Sequence, residues 1–348
     1  MKPSIKLLII ISLIAVPIMG VVIAENIAET FLYPQQAVYS PGSANSTVFI
    51  LNGVSGTVTI TDPTLGKNVS VNIDYDPLES GSGAIITPNG YIITAFHVIS
   101  DVRTLKSQKL LKTMSDEDIK LYLEEAAVNS YLSRNPRFGS QLLYNNPAQS
   151  FQINDHNVDL VVAQLSQSNL ISVSSSKQVV KVRLPSSNGV NKFIDANIVD
   201  VGNATMDEDV ALLKIDASDL PALQINSGKP RTGENLRIYG YPGNNSKTEM
   251  QYLMNSTVIP ATSAGSLKSQ IANPQGIRYY ETSAQVSEGY SGGPVLDAQN
   301  KILGIVIYSI EKQSGFKQFM SSQSSVFLSS EYLIELCKRN NVPITLSG

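Results

Sequence analysis

Gly289-Tyr290-Ser291-Gly292-Gly293-Pro294 is the stretch from which the rest of the chain is read. A serine hydroxyl is a poor nucleophile at neutral pH; it needs a base to take its proton and donors to hold the oxyanion it creates. Glycines on both sides of Ser291 let the backbone turn tightly, so that the N–H groups of Gly289 and Ser291 converge on one small hole. The same residue types also make ordinary turns, so a base and an acid must be found elsewhere in the chain.

The search for the base is short, because only two histidines occur. His97 follows Gly81-Ser82-Gly83-Ala84-Ile85-Ile86, a turn at Pro88-Asn89-Gly90, and Tyr91-Ile92-Ile93-Thr94-Ala95-Phe96. This reads as two β-branched strands joined by an Asn-Gly hairpin, with the imidazole delivered at the end of the second. His156 sits in the polar run Asn154-Asp155-His156-Asn157, which reads as a solvated loop.

Two aspartates compete to be the acid. Asp209 opens Asp209-Val210-Ala211-Leu212-Leu213-Lys214-Ile215, and Asp159 opens Asp159-Leu160-Val161-Val162-Ala163. Either is a loop residue ahead of a buried strand. Asp209 is favoured because the strand-rich run from Val179 to Val201 leads into it and the polar loop from Gly202 to Glu208 presents it.

Order along the chain then separates the folds. The G-x-S-x-G elbow of α/β-hydrolases fits residues 289–293 but needs a histidine after the serine, and none follows Ser291. An acid ahead of the histidine, as in subtilisin, leaves Asp62, Asp74 and Asp76 open by order, although none has a comparable strand context. His97, Asp209, Ser291 is the order of the chymotrypsin double barrel, an all-β architecture.

On these motifs the chain resembles the trypsin-like serine endopeptidases of the HtrA type. The resemblance rests on Gly81-Ser82-Gly83 with Thr94-Ala95-Phe96-His97, on Asp209 to Ile215, and on Ser291-Gly292-Gly293-Pro294. More weakly, Ile238-Tyr239-Gly240-Tyr241-Pro242-Gly243 is similar to that family's glycine-containing strand end in the second barrel, and Ala264-Gly265 to its following turn. It spans roughly residues 46 to 335, interrupted by an insertion.

The resemblance implies cleavage of polypeptide substrates through an acyl-enzyme, with His97, Asp209 and Ser291 catalytic and the Gly289 and Ser291 N–H groups as the oxyanion hole. It places Gln285 at the base of the pocket for the side chain preceding the cut, and Val306, Ile307 and Tyr308 along one wall. With no acid at residue 285, small or medium uncharged side chains are expected there. Tyr290 stands where HtrA-type enzymes usually have Asn, which leaves a backbone-built oxyanion hole intact. No PDZ-like segment is read before Gly348, so the regulation associated with that module is not carried over.

The chain opens with Met1, Lys2 and Lys6, then an apolar run from Leu7 to Ala24. Residues 1–24 read as a cleaved signal peptide or as a retained membrane anchor through residues 7–24. Lysines before the run and Glu25 and Glu29 after it place the bulk of the chain outside the cytoplasm in both cases. Residues 25–45, with Pro34, Gln35, Gln36, Pro41 and Gly42, read as a stalk.

Strands Thr47 to Leu51, Thr57 to Ile60 and Val69 to Ile73 begin a first barrel over 46–219, with a glycine turn at Gly81. An insertion over about 103–178 interrupts it. There Ser115 reads as a helix N-cap with Asp118 three residues on, and Ile119, Tyr122, Leu123, Ala126 and Ala127 share one face of a helix over about 116–134 until Pro136. The insertion is either a lid beside the cleft or a decoration packed on the barrel. Leu220-Pro221-Ala222-Leu223 then leads into a second barrel over 220–348, closed by a helix capped at Ser329 or Ser330 and carrying Tyr332, Leu333, Leu336 and Cys337.

A net charge of -3 with mixed signs argues against nucleic acid as a partner. Cys337 is the only cysteine, so no disulfide forms within the chain, and two histidines with one cysteine make a zinc site improbable. No cofactor is expected. A catalytically idle protease fold serving as a binding module is the alternative function class, and its usual mark, a damaged triad, is missing from these motifs.

Overall fold

Val48, Phe49, Ile50 and Leu51 begin the first strand, β1 (Thr47–Asp62), and all four are buried. Successive side chains leave a strand on opposite faces, and here both faces are covered. Val48 and Ile50 enter the main core, whereas Phe49 and Leu51 join a separate cluster with Tyr241, Met250 and Leu253.

The computed structural model describes residues 41–100, 114–185, 192–243, 246–256, 258–307 and 325–347. The apolar run 7–24, most of the stretch 25–45 and Tyr308 lie outside the described residues. Among the described residues no helix is long and apolar enough to cross a membrane.

Strand β1 is followed by β2 (Lys67–Ile85), β3 (Tyr91–Thr94), β4 (Ile171–Arg183), β5 (Phe193–Val201) and β6 (Ala211–Ile215), which close into an antiparallel barrel in the order β1-β2-β3-β6-β5-β4. After the short strand β7 (Ile225–Asn226) come β8 (Asn235–Gly240), β9 (Ala261–Ala272), β10 (Arg278–Thr282), β11 (Pro294–Leu296), β12 (Ile302–Val306) and β13 (Ser325–Ser329). Pairing of β11 with both β8 and β12 closes a second ring, β11-β8-β9-β10-β13-β12, with β7 and the terminal β14 (Leu346–Ser347) added beside β12. Two closed six-stranded antiparallel barrels are the chymotrypsin-like double barrel. Closure pairs the backbone groups that open sheet edges would expose.

The main apolar cluster runs through both barrels, from Ile50, Ile93 and Leu212 to Leu296, Ile305 and Leu328. The C-terminal helix (Ser330–Arg339) adds Leu333, Leu336 and Cys337 to it. Burial pushes the Cys337 thiol up to about 12, so it behaves as a small apolar side chain. At the end of that helix Arg339 donates to Asp200 of the first barrel at 2.9 Å.

Several elements differ from the sequence expectation. Strands read as separate are one 16-residue β1, in which Gly53 and Gly56 mark register irregularities against β2 rather than breaks. Gly81 lies inside β2 and Ala264-Gly265 inside β9, so neither is a turn. The far parts of β1, β2 and β4 form an antiparallel arm on which helices α2 (Asp116–Arg134) and α4 (Asp155–Gln167) pack, with α3 (Pro136–Tyr144) against those two, numbered after the single turn α1 (Phe96–Ile99). Val54, Val58, Ile60 and Val71 of the arm share a core with Leu123, Tyr131, Leu132, Phe138, Val161 and Leu165 of the helices.

Helix α2 starts at Ser115, whose hydroxyl accepts from the Asp118 N–H at 3.1 Å. The helix ends at Arg134, as the pattern up to Pro136 predicts, and Pro136 then opens a separate helix, α3, at a position where its missing N–H costs nothing. His156, read as a loop residue, is exposed in the first turn of α4, and Asp159 lies on that helix rather than ahead of a strand. Val158, Val161, Val162 and Leu165 are its buried face, at helical spacing.

Asp62 locks the turn of the arm. Its carboxylate accepts from the Thr64 N–H at 2.7 Å, the Leu65 N–H at 3.2 Å and the Tyr131 hydroxyl at 2.7 Å. Burial would raise this carboxyl, but the bonds from Thr64, Tyr131 and Leu65 outweigh it and hold it below its ordinary value. Its stabilising effect is therefore present at neutral pH and lost as pH falls through the lowered value.

Leu123→Ala, at a site with no solvent exposure, is expected to cost about 2–5 kcal/mol in urea unfolding. Tyr131→Phe is expected to cost about 1–3 kcal/mol at pH 7, with the difference from wild type shrinking below pH 4.

Candidate active site

The β2–β3 hairpin carries the first component. Gly83 pairs with Thr94 and Ile85 with Ile92; the strand ends at Thr94, and from Ala95 the single turn α1 projects His97. The imidazole is 17% exposed and its Nδ1 lies 2.7 Å from Asp209 Oδ2. The His97 backbone N–H donates to Asp209 Oδ1 at 2.9 Å. Both carboxylate oxygens are thus used on one residue. A proton on Nδ1 satisfies this geometry, and Nε2 is left as an acceptor.

Asp209 comes from the loop between β5 and β6. Burial alone would raise its carboxyl, but His97, through its charge and two hydrogen bonds, and the Phe96 N–H hold it below the ordinary carboxylate value. The rival acids stand elsewhere: Asp62 in the arm turn bonded to Tyr131, Asp159 on α4, and Asp74 exposed on β2, taking a hydrogen bond from Asn72.

Ser291 belongs to the second barrel and is nearly buried. Its loop is fixed to both barrels. The Ser291 carbonyl accepts from the Ser82 N–H at 2.8 Å, the Gly289 carbonyl from the Ser82 hydroxyl at 2.6 Å, and the Gly292 N–H donates to the Val306 carbonyl at 2.9 Å.

Gly292 has φ +80, and a Cβ there would stand 2.2 Å from Thr94 Oγ1, 2.3 Å from the Ser82 carbonyl oxygen and 2.7 Å from Ala95 N. The residue after Ser291 therefore packs on the two residues that lead into the His97 turn. A Cβ at Gly81 would touch both the Val98 side chain, at 2.6 Å, and the Ser291 carbonyl oxygen, at 3.0 Å, which places the serine backbone close to the residue next to His97.

Gly289 has φ +86 and lies against the Tyr241 carbonyl, which an added Cβ would approach to 2.1 Å. This left-handed conformation turns the loop. The N–H groups of Tyr290, Gly292 and Gly293 are all engaged, with Ser287, Val306 and Tyr290 carbonyls. Those of Gly289 and Ser291 donate to nothing among the described residues, and neither does the Ser291 hydroxyl. Two N–H groups with no acceptor among the described residues, two positions apart in the loop that carries the Ser291 hydroxyl, are donors of the kind that an oxyanion needs.

The Tyr290 side chain turns away from this surface into the second-barrel core, over Gly240, where a Cβ would come within 2.6 Å of the ring. Burial pushes its phenol up to about 12. Gln285 is exposed, its amide reaching the Ser283 carbonyl at 3.4 Å. Val306 and Ile307 are buried in two apolar clusters, so what Val306 offers the Ser291 loop is its backbone. Ser82, whose four polar contacts reach Gly289, Ser291, Tyr241 and Thr94, was not singled out as a site residue; its signal was the flanking pair of glycines.

The sequence profile of the trypsin-like peptidase domain family matches residues 81–305. A curated protein described as putative serine protease HhoB, from Synechocystis sp. (strain ATCC 27184 / PCC 6803 / Kazusa), is 31% identical over 100 residues, which cover 28% of this chain and 22% of that one. The crystal structure of the serine endoprotease from Yersinia pestis superposes with a TM-score of 0.43 at 16% identity, covering 88% of this chain and 68% of the other.

Ser82→Ala leaves the Gly289 carbonyl and the Tyr241 N–H without their partner, at a cost of about 1–3 kcal/mol for each buried group. A variant that unfolds in urea like wild type would contradict the joint described above. Asp209→Asn removes a carboxylate held below its ordinary value of 3.8. Wild-type stability gained from that group is present at neutral pH and lost as pH falls through the lowered value. The stability gap between wild type and Asp209→Asn is therefore expected to narrow between pH 5 and pH 3.

Proposed function

The chain belongs to the trypsin-like peptidase domain family, and from that premise we propose that it is an extracytoplasmic serine endopeptidase in which Ser291 is the nucleophile, His97 the base and Asp209 the acid. The observation that carries this reading is the two-point contact between Asp209 and His97, at 2.7 and 2.9 Å, beside a serine loop with two undonated N–H groups.

His97 Nε2 takes the Ser291 proton as Oγ attacks the peptide carbonyl. Asp209 fixes the imidazole tautomer and stabilises its positive charge, and the Gly289 and Ser291 N–H groups receive the oxyanion. Collapse expels the amine, which takes the proton from His97. Water then attacks the acyl-enzyme, giving its proton to His97, and Ser291 leaves with it. Losing one oxyanion donor costs on the order of 3 kcal/mol of transition-state stabilisation, so the fixed Gly289 backbone has a catalytic part beside the triad.

Cleavage after small or medium uncharged residues is supported by the uncharged Gln285 six residues before Ser291. The extracytoplasmic location is supported by Lys2 and Lys6 ahead of the apolar run 7–24.

A fluorophosphonate probe is expected to label Ser291 of the folded protein at neutral pH. Ser291→Ala and His97→Ala abolish labelling, and Asp209→Asn lowers peptide turnover by about 10⁴-fold, the loss known for the same change in this triad. A folded protein that takes no label would be a binding module instead. In a peptide library, cuts concentrated after Arg or Lys would overturn the specificity.

A further inference from the structure

We infer that Tyr279, with Asn273, is a positioning residue for Asp209, by which the second barrel holds in place the loop that presents the acid of the first. The inference rests on the function proposed above and goes beyond its three residues.

The loop between β5 and β6 closes on itself. The Met206 and Glu208 N–H groups both donate to the Asn203 carbonyl, at 3.0 and 3.1 Å, the Glu208 carboxylate accepts from the Asn203 N–H at 2.8 Å, and the Gly202 N–H reaches the Val210 carbonyl at 2.7 Å. The Met206 and Asp207 carbonyls take no part in these bonds. Asp207, two residues before Asp209, has φ +61, a conformation that costs a non-glycine residue on the order of 1 kcal/mol and persists where surrounding structure holds it.

The hold comes from the other barrel. The Tyr279 hydroxyl on β10 donates to the Asp207 carbonyl at 2.5 Å, and the Asn273 side-chain amide, at the β9–β10 turn, donates to the Met206 carbonyl at 2.9 Å. Both side chains are nearly buried. Asn273 is itself locked, because its Oδ1 accepts from the Ile277 N–H at 2.7 Å and its own N–H donates to the Ile277 carbonyl at 3.0 Å.

Around Tyr279 stand Asp209, Asp207 and Glu208 from the loop and Tyr332 from the C-terminal helix. Burial first, and then those carboxylates, push the phenol above its usual range. It therefore stays a donor throughout the working pH range.

Asp209 must meet Nδ1 and N–H of one residue at once, so a small displacement of its loop breaks the two-point contact. A misplacement of about 1 Å from a change outside the reacting groups can cost on the order of 100-fold in rate. A phenylalanine at residue 279 would fill the same core volume. What the hydroxyl adds is the bond to the Asp207 carbonyl.

The test is the rate of fluorophosphonate labelling, against probe concentration and pH, for wild type and Tyr279→Phe, with Asn273→Ala as a second variant. Tyr279→Phe is expected to lower the rate at saturating probe about tenfold and to leave the half-saturating concentration unchanged. The acid limb of its pH profile moves to lower pH, because a carboxylate loosened from the imidazole stabilises the imidazolium less. Asn273→Ala moves both readouts the same way.

A Tyr279→Phe protein with the wild-type rate and acid limb overturns the inference, whatever its melting temperature. If wild type takes no label, the proposed function falls first. The inference is then decided by the low-field proton resonance of His97 Nδ1–H: a shift or faster exchange in Tyr279→Phe supports it, and an unchanged resonance overturns it.

Discussion

The contact on which the site depends is made by Ser82. Its hydroxyl donates to the Gly289 carbonyl and accepts from the Tyr241 N–H, its backbone N–H donates to the Ser291 carbonyl, and its own carbonyl accepts from Thr94 Oγ1. Three of these four bonds cross from the first barrel to the second. Closed barrels leave no open strand edges with which to pair, so their alignment rests on a shared apolar interior and a few such bonds. The apolar interior is non-directional and brings the barrels together without fixing them to a fraction of an ångström. Hydrogen bonds of defined length fix the register, and the Ser291 loop is what they hold.

From that joint the parts of the site take their places by different means. His97 is placed locally, by a hairpin and one helical turn. The Ser291 loop is placed by Ser82 on one side and the Val306 carbonyl on the other, with Tyr290 anchored in the core beneath it. Asp209 sits on a loop whose own bonds close it and whose outward carbonyls are taken by the second barrel. The helical arm stands apart in its construction, with a core made of the far ends of β1 and β2 and of helices α2 to α4. Gln178 links its entrance to the site, donating to the Ile99 carbonyl at the end of the His97 turn and accepting from the Met114 N–H at the start of the helical segment.

What was legible in the sequence was what is local. The Pro88-Asn89-Gly90 turn between two β-branched runs, the glycines around Ser291 and the order of His97, Asp209 and Ser291 each declare themselves within a few residues, and together they pointed to the double barrel. Asp159 resembled Asp209 because both open an aliphatic run. The difference is periodicity, since Val158, Val161, Val162 and Leu165 line one side of a helix while Ala211, Leu212 and Leu213 are all buried in a strand. The strands read over Thr47 to Leu51 and Thr57 to Ile60 are one, because antiparallel pairing on both sides carries β1 through Gly53 and Gly56 between them. Ser82 was marked only by its flanking glycines, and Tyr279 and Asn273 gave no signal. Their partners lie 207, 72 and 67 residues away in the chain, and only the closed fold brings them together.

The most direct measurement is a crystal structure of the protein after reaction with a fluorophosphonate. The predicted result is phosphorus bonded to Ser291 Oγ, one phosphoryl oxygen within hydrogen-bonding distance of both the Gly289 and Ser291 N–H groups, and His97 still paired with Asp209. An adduct on another residue, or a phosphoryl oxygen turned away from those two donors, would contradict the assembly of an acyl-transfer site at the junction of the barrels.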